Sequence, residues 1–262
     1  MKSFLQKWRN RSFFYVLCLS VPLPLLAEDI LVAVASNFSS TAEEIAQEFE
    51  AQTGHKVLFS IGSTGQHYAQ IINNAPFDVF LAADAERATL LENSGHAQEG
   101  SRFTYALGVL VLWSPNHEIE GEKILSEQAF QYLSMANPKH APYGQAAVQT
   151  LQSINLYTAL AKKIVLGENV AQSFQFVQSG AADIGFVSMA QILKYGEYEP
   201  SNYWLVDEDL YEPINQQAVL LSDKESAEEF MQFLGSSRAR QIISQSGYGL
   251  EHQSIHSSIE QD

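Results

Sequence analysis

Two rhythms of apolar residues alternate along this chain. Short uninterrupted apolar runs, bounded by glycine, serine or asparagine, give way to stretches where apolar residues return every third or fourth position. The first is the pattern of a strand buried on both faces, the second that of an amphipathic helix. Ile30 to Ala35 reads as the first strand. Ser39, Ser40 and Thr41 offer a helix cap, with Glu43 and Glu44 placed for a capping box. Ala42, Ile45, Ala46 and Phe49 form that helix's apolar stripe, and Gly54 ends it. A strand at Lys56 to Ile61, the turn Gly62-Ser63-Thr64-Gly65 and a helix through Ile72 come next. Asp78 to Ala82 is a third strand, and Ala85 to Asn93 a third helix ending near Gly95. This β-α-β-α-β-α order predicts an α/β fold, a twisted sheet of parallel strands with helices on its faces.

Phe103 to Trp113 is too long for one ordinary strand and reads as a strand crossing into a second domain. There the same logic repeats. A helix from Tyr143 to Ile154 opens after Pro142, and one from Val170 to Gln178 opens after Asn169 and stops at Gly180. Asp183 to Val187 is a strand, and Ala218 to Ser222 returns to the first domain, closed by helices at Ala227 to Leu234 and Ser237 to Ser246. The expected organisation is one lobe from 28–107 plus 216–250 and a second from 108–215. The polar stretch 251–262 lacks periodicity and is expected to be a disordered tail.

The start of the chain follows another pattern. Lys2, Lys7, Arg9 and Arg11 precede an apolar run from Phe13 to Leu26, and Ala27 supplies a small residue for cleavage. Residues 1–27 therefore read as a signal peptide, too short in its apolar part for a membrane span and interrupted by Pro22 and Pro24. Cys18, preceded by Leu17, lacks the small neighbour a lipoprotein cysteine needs. Cleavage leaves 11 Lys and Arg against 30 Asp and Glu, a net charge of −19, and no cysteine. Disulfides, thiol catalysis and cysteine–zinc sites are excluded. So acidic a chain is a poor partner for nucleic acid or anionic lipid.

Four turns place hydroxyls or free backbone N–H groups where a strand or loop meets a helix start. They are Ser36-Asn37, Gly62-Ser63-Thr64-Gly65, Ala141-Pro142-Tyr143-Gly144 and Glu168-Asn169-Val170. Open α/β sheets bind ligands beyond the carboxyl ends of their strands, where helix N-termini favour anions. Any one of these turns alone reads as an ordinary helix cap; four in one chain point to an anion held by neutral dipoles. A fully ionised dianion has only acceptors, so donors alone satisfy it, whereas phosphate retains a proton that needs an acceptor.

The wording and order of several segments carry a resemblance. Val34-Ala-Ser-Asn-Phe38, Ser60-Ile-Gly-Ser-Thr-Gly65, Asn74-Ala-Pro-Phe-Asp-Val-Phe80 leading to Ala83-Asp84, Asn137-Pro-Lys-His-Ala-Pro-Tyr-Gly144 and Gly180-Ala-Ala-Asp-Ile-Gly-Phe186 follow one another at set spacings. Over Ile30 to Gly249 the chain resembles the periplasmic molybdate-binding proteins of ABC transporters. The resemblance implies a type II periplasmic-binding-protein fold, two doubly wound lobes with a hinge and an interdomain ligand cleft. It implies a monomer that binds molybdate or tungstate without a cofactor and hands it to a permease in the inner membrane. Carried across, Ser36 donates through its hydroxyl and N–H, and Thr64 does the same where the family commonly has serine. Tyr143 and Val170 offer backbone N–H groups, and Asn37 a further donor. One branch of the family has a tyrosine donor where this chain has Ser188; another has Tyr in the Pro-Tyr-Gly turn, so the Tyr143 side chain is expected to contribute as well. Ser63 and Ser188 form a second tier.

Two other readings compete. One is a binding protein of the same fold for another oxyanion such as sulfate. The other is a secreted hydrolase using Ser36 or Ser63 as nucleophile, which needs a histidine base, with His67 nearest in sequence. His252 and His256 have i, i+4 spacing but lie in the polar tail, where a solvated segment is the expectation. Asp78, Asp84 and Asp183 read as turn or cap groups rather than a catalytic pair, and there is no Tyr-Tyr pair of the ferric-binding kind.

Overall fold

A computed structural model of the protein describes residues 27–196 and 199–250. The segment 1–27 read as a signal peptide, apart from Ala27, and the stretch 251–262 expected to be a disordered tail, with its two histidines, lie outside the described residues. The chain runs β1 (Asp29–Ala35), α1 (Ser39–Thr53), β2 (Lys56–Gly62), α2 (Thr64–Ile71), β3 (Val79–Ala82), α3 (Ala85–Asn93) and β4 (Phe103–Gly108). It continues through β5 (Leu110–Trp113), α4 (Lys123–Glu127), β6 (Leu133–Ala136), α5 (Pro142–Ser153), α6 (Tyr157–Leu160), β7 (Ile164–Gly167) and α7 (Val170–Gln178). Then come β8 (Ile184–Ser188), α8 (Met189–Tyr195), β9 (Tyr203–Leu205), β10 (Ile214–Leu220), α9 (Glu225–Leu234) and α10 (Ser237–Gln245), with short 3₁₀ turns on either side of β9.

These strands form two five-stranded sheets, ordered β2-β1-β3-β10-β4 and β7-β6-β8-β5-β9. In the first, β1 runs parallel to β2 and β3, while β10 is antiparallel to β3 and β4. In the second, β6 runs parallel to β7 and β8, while β5 is antiparallel to β8 and β9. The strands of the β-α-β rhythm are parallel as expected, and antiparallel strands beside them make each sheet mixed. The reason lies in the crossovers: a strand that enters a lobe from its neighbour joins the sheet antiparallel to the β-α-β strands there. The long apolar run Phe103 to Trp113 is two strands in different sheets, divided at Val109. The chain returns between β9 and β10, so two crossovers join the lobes.

Each sheet is covered on both faces. In the first lobe Ile30, Val32, Val34 and Leu81 pack with Ile45 and Phe49 of α1 and Phe230 of α9, while Ala33 and Phe80 pack against Leu91 of α3 on the other side. In the second, Leu133, Met135 and Phe186 pack under α5, and Val111, Trp113 and Val187 under α7 and α8. Large side chains buried this fully are each worth about 1.5–3 kcal/mol of transfer free energy. Packing also overrides the cap expected at α1. The helix begins at Ser39 after Phe38, with no side-chain cap, and Ser39 Oγ instead donates to the carbonyl of Ser36 at 3.1 Å. Phe38 is held by Tyr105 and Tyr248, with ring centroids 4.6 and 5.2 Å away, and this aromatic wedge fixes the chain's entry.

Candidate functional site

At the seam of the lobes β1, β2 and β3 end facing the N-termini of α5 and α7. β1 delivers Ser36 and Asn37; β2 delivers Gly62, Ser63 and the first turn of α2. Across the seam, Asn137 to Ala141 leads into α5 and Glu168–Asn169 into α7. A cavity here is lined by Ser36, Asn37, Ser63, Thr64, Tyr143 and Val170, together with Ala35, Gly62, Ala83, Ala141, Pro142 and Asn169. The cavity is small, with room on the order of a single water molecule. Six of the seven site residues read from the sequence meet there. Ser188 does not line this cavity: it opens α8, and its hydroxyl donates to Gln191 Oε1 at 3.1 Å.

The hydrogen bonds around the cavity orient its donors. Thr64 Oγ1 accepts from the N–H of Ala83 at 3.0 Å, and Ser36 Oγ accepts from the N–H of Ala171, in the other lobe, at 3.4 Å. A hydroxyl oxygen engaged by a fixed N–H has its own proton to donate elsewhere. The N–H groups of Asn37, Thr64, Tyr143 and Val170 donate to no acceptor among the described residues. For the last three this follows from their places in the first turns of α2, α5 and α7, where no intrahelical carbonyl is in reach. The Ser36 N–H, expected as a donor to the ligand, is instead committed to the carbonyl of Gly62 at 2.9 Å, because the β1–β2 ladder extends that far.

Other polar groups on the wall are occupied. Ser63 and Asn169 are helix caps, accepting from Gln66 N and Gln172 N. The Asn37 amide turns away, donating to Gln216 Oε1 at 2.8 Å and Tyr248 Oη at 3.2 Å, so this residue presents its backbone rather than its side chain. Tyr143 is buried with its phenol reaching the crossover strand, where a Cβ on Gly108 would stand 2.6 Å from Oη. Burial pushes the phenols of Tyr105, Tyr143 and Tyr248 far above the usual tyrosine range, so all three stay neutral. No carboxylate lines the cavity. Glu168 points out to the rim and accepts from Gln66 Nε2 across the seam at 3.3 Å.

Close backbone approach completes the seam. Gly65 N–H donates to the carbonyl of His140 at 2.9 Å, and the Arg87 guanidinium, paired with Asp84, donates to the carbonyl of Lys139 at 3.2 Å. The acidic residues do the structural jobs expected of them. Asp78 accepts from Leu31 N and Lys224 Nζ, Asp84 caps α3, and Asp183 accepts from Gln131 N and Tyr132 N. The histidine a serine nucleophile would need is turned elsewhere: His67 Nε2 pairs with Ser60 Oγ at 3.3 Å, not with Ser63 or Ser36.

Two α/β lobes joined by paired crossovers, closed over a small polar-lined cavity, are the architecture of a solute-binding protein. The chain belongs to the bacterial extracellular solute-binding proteins, whose family model matches residues 30–249. Within that family it is similar to molybdate-binding proteins. It is 46% identical over 230 residues to the molybdate-binding protein ModA of Azotobacter vinelandii, covering 86% of this chain and 91% of that protein. To the molybdate-binding protein ModA of Rhodobacter capsulatus it is 38% identical over 255 residues, covering 96% and 100%. The solved structure of a periplasmic molybdate-binding protein of Azotobacter vinelandii matches with a TM-score of 0.82 at 41% identity, covering 85% of this chain and all of that one.

Proposed function

We propose that this protein binds molybdate, and tungstate with it, in the periplasm and delivers it to an ABC importer. The observation that carries the reading is the donor-only wall: two oriented hydroxyls and four unpaired backbone N–H groups, with no carboxylate among them. Ser36 and Thr64 donate through their hydroxyls, and Asn37, Thr64, Tyr143 and Val170 through their N–H groups. A wall of neutral dipoles also explains how a chain with this much negative charge can hold an anion. The bound ion needs no cofactor and undergoes no reaction, so the protein is a carrier rather than an enzyme. Its lobes, 28–107 with 216–250 and 108–215, close over the ion about the two crossovers, and a permease of the inner membrane receives the closed monomer. Residues 1–27 direct export.

The test is a thermal melt of stripped protein at matched ionic strength. A ligand specific for the folded state stabilises it by about 4.1 kcal/mol at a thousandfold excess over Kd. Molybdate and tungstate then raise Tm by roughly 8–16 °C in a chain of this size. Phosphate gives almost no shift, since its remaining proton finds no acceptor, and sulfate a smaller shift than molybdate. A phosphate shift equal to that of molybdate would refute the reading, and a dominant sulfate shift would transfer it to sulfate.

A further inference from the structure

Three helices open on the cavity, and they are not finished alike. α2 and α7 carry side-chain caps, Ser63 and Asn169, which satisfy the third N–H of each helix and leave the first one facing the ligand space. α5 has alanine at this position. Ala141 holds the extended backbone of an N-cap, φ −123° and ψ 120°, yet no side chain caps the helix. Pro142 has no N–H to offer, and the N–H of Gly144 folds back to the carbonyl of Ala141 at 3.0 Å. That leaves the N–H of Tyr143 as the free donor of this turn. Ala141 is itself buried on the cavity wall. Residues with a capping oxygen are strongly preferred at such a position, and alanine there costs stability.

We propose that Ala141 is an affinity-determining residue of the oxyanion site, which it serves by what it lacks. A capping oxygen at 141 would stand beside the first-turn N–H groups of α5, where it can accept from the Tyr143 N–H meant for the ligand, and would fill part of a small hollow. A carboxylate would add a fixed negative charge at the same point. The helix is left uncapped so that the ligand's own oxygen acts as its cap. This inference rests on the oxyanion reading above, with molybdate as the probe.

The experiment compares Ala141→Asn, Ala141→Asp and Ala141→Gly with the parent, measuring the melting temperature of stripped protein and molybdate affinity by calorimetric titration. The Asn and Asp variants gain a cap, so Tm without ligand rises by roughly 2–4 °C. Their affinity falls, by about tenfold or more for Asn and to no detectable binding for Asp. Ala141→Gly brings no oxygen and binds within about threefold of the parent. This opposition, greater stability with weaker binding, is what a purely structural role would not produce. Asn and Asp variants that bind as tightly as the parent would overturn the proposal. A parent that does not bind molybdate would refute the oxyanion reading instead, so the two failures are distinguishable. Should Asp fail to fold, the Asn and Gly variants decide the question.

Discussion

At Ser36 and Thr64 the deciding feature is the direction of a proton. Each hydroxyl oxygen is engaged by a backbone N–H, so each O–H is free for the ligand. Removing either hydroxyl leaves an oxygen of a buried dianion unpaired. Ser36→Ala and Thr64→Ala are each expected to weaken molybdate binding by about 1.5–3 kcal/mol, or roughly ten- to hundredfold, while Thr64→Ser retains it. Unchanged affinity in the double alanine variant would take these hydroxyls out of the site. His67 makes a different prediction. Burial among Phe77 and Phe80 pushes its imidazole down to about 4, so it is neutral in the folded protein but protonated below about 6.5 when unfolded. Its contribution is full above pH 6.5 and is lost as pH falls towards 4, at most about 3 kcal/mol. His67→Gln should flatten that part of the acid limb in denaturation curves; a limb of the same slope would show that carboxylates alone set it. Which residues are polar and near helix starts was legible in the sequence. Where their protons point was not, because that depends on partners such as Ala83 and Ala171, 19 and 135 positions away.

Helices with strong apolar stripes and clear stops, α1, α3, α7, α9 and α10, stand where periodicity puts them, within a residue or a few. The strands β6, β7 and β9 are not legible in the sequence, since three or four residues show no period unless, as at β3, the helices around them frame the run. The cap of α1 departs from expectation for the opposite reason. Its hydroxyls fit a local rule, but Phe38 packing on Tyr105 and Tyr248 fixes where the helix begins. At α7 local and global demands agree, which allows a clean test. Asn169, at φ −150° and ψ 176°, already has the extended backbone that a following proline requires, and Val170 is the first helical residue. Val170→Pro should therefore fold as the parent does while losing one donor, with binding weaker by roughly tenfold or more. Val170→Ala, which keeps its N–H, should bind nearly normally. A folded proline variant with parental affinity would end the helix-terminus role of Val170.

For the whole molecule the question is how the lobes meet. A Cβ on Gly65 would stand 3.0 Å from His140 Cα and 3.1 Å from its carbonyl oxygen, both backbone atoms of the facing lobe. Gly65→Ala should thus oppose closure and weaken ligand binding by about tenfold. It should leave the stripped protein as stable or slightly more so, since alanine favours the helix by about 1 kcal/mol. Scattering that shows the variant closing on molybdate as readily as the parent would dismiss this contact as a constraint. By itself the sequence determined what short-range physics governs: the α/β class, the export-like start, the acidic and cysteine-free composition, and turns whose dipoles suit an anion. Tertiary structure decided the mixed strand directions, the break at Val109, the commitment of the Ser36 N–H to Gly62, and the turning of the Asn37 amide towards Gln216. Each of these depends on which distant segment arrives alongside. Periodicity records how a residue meets its own helix or sheet face, but a donor's final partner is chosen only when the lobes are packed together.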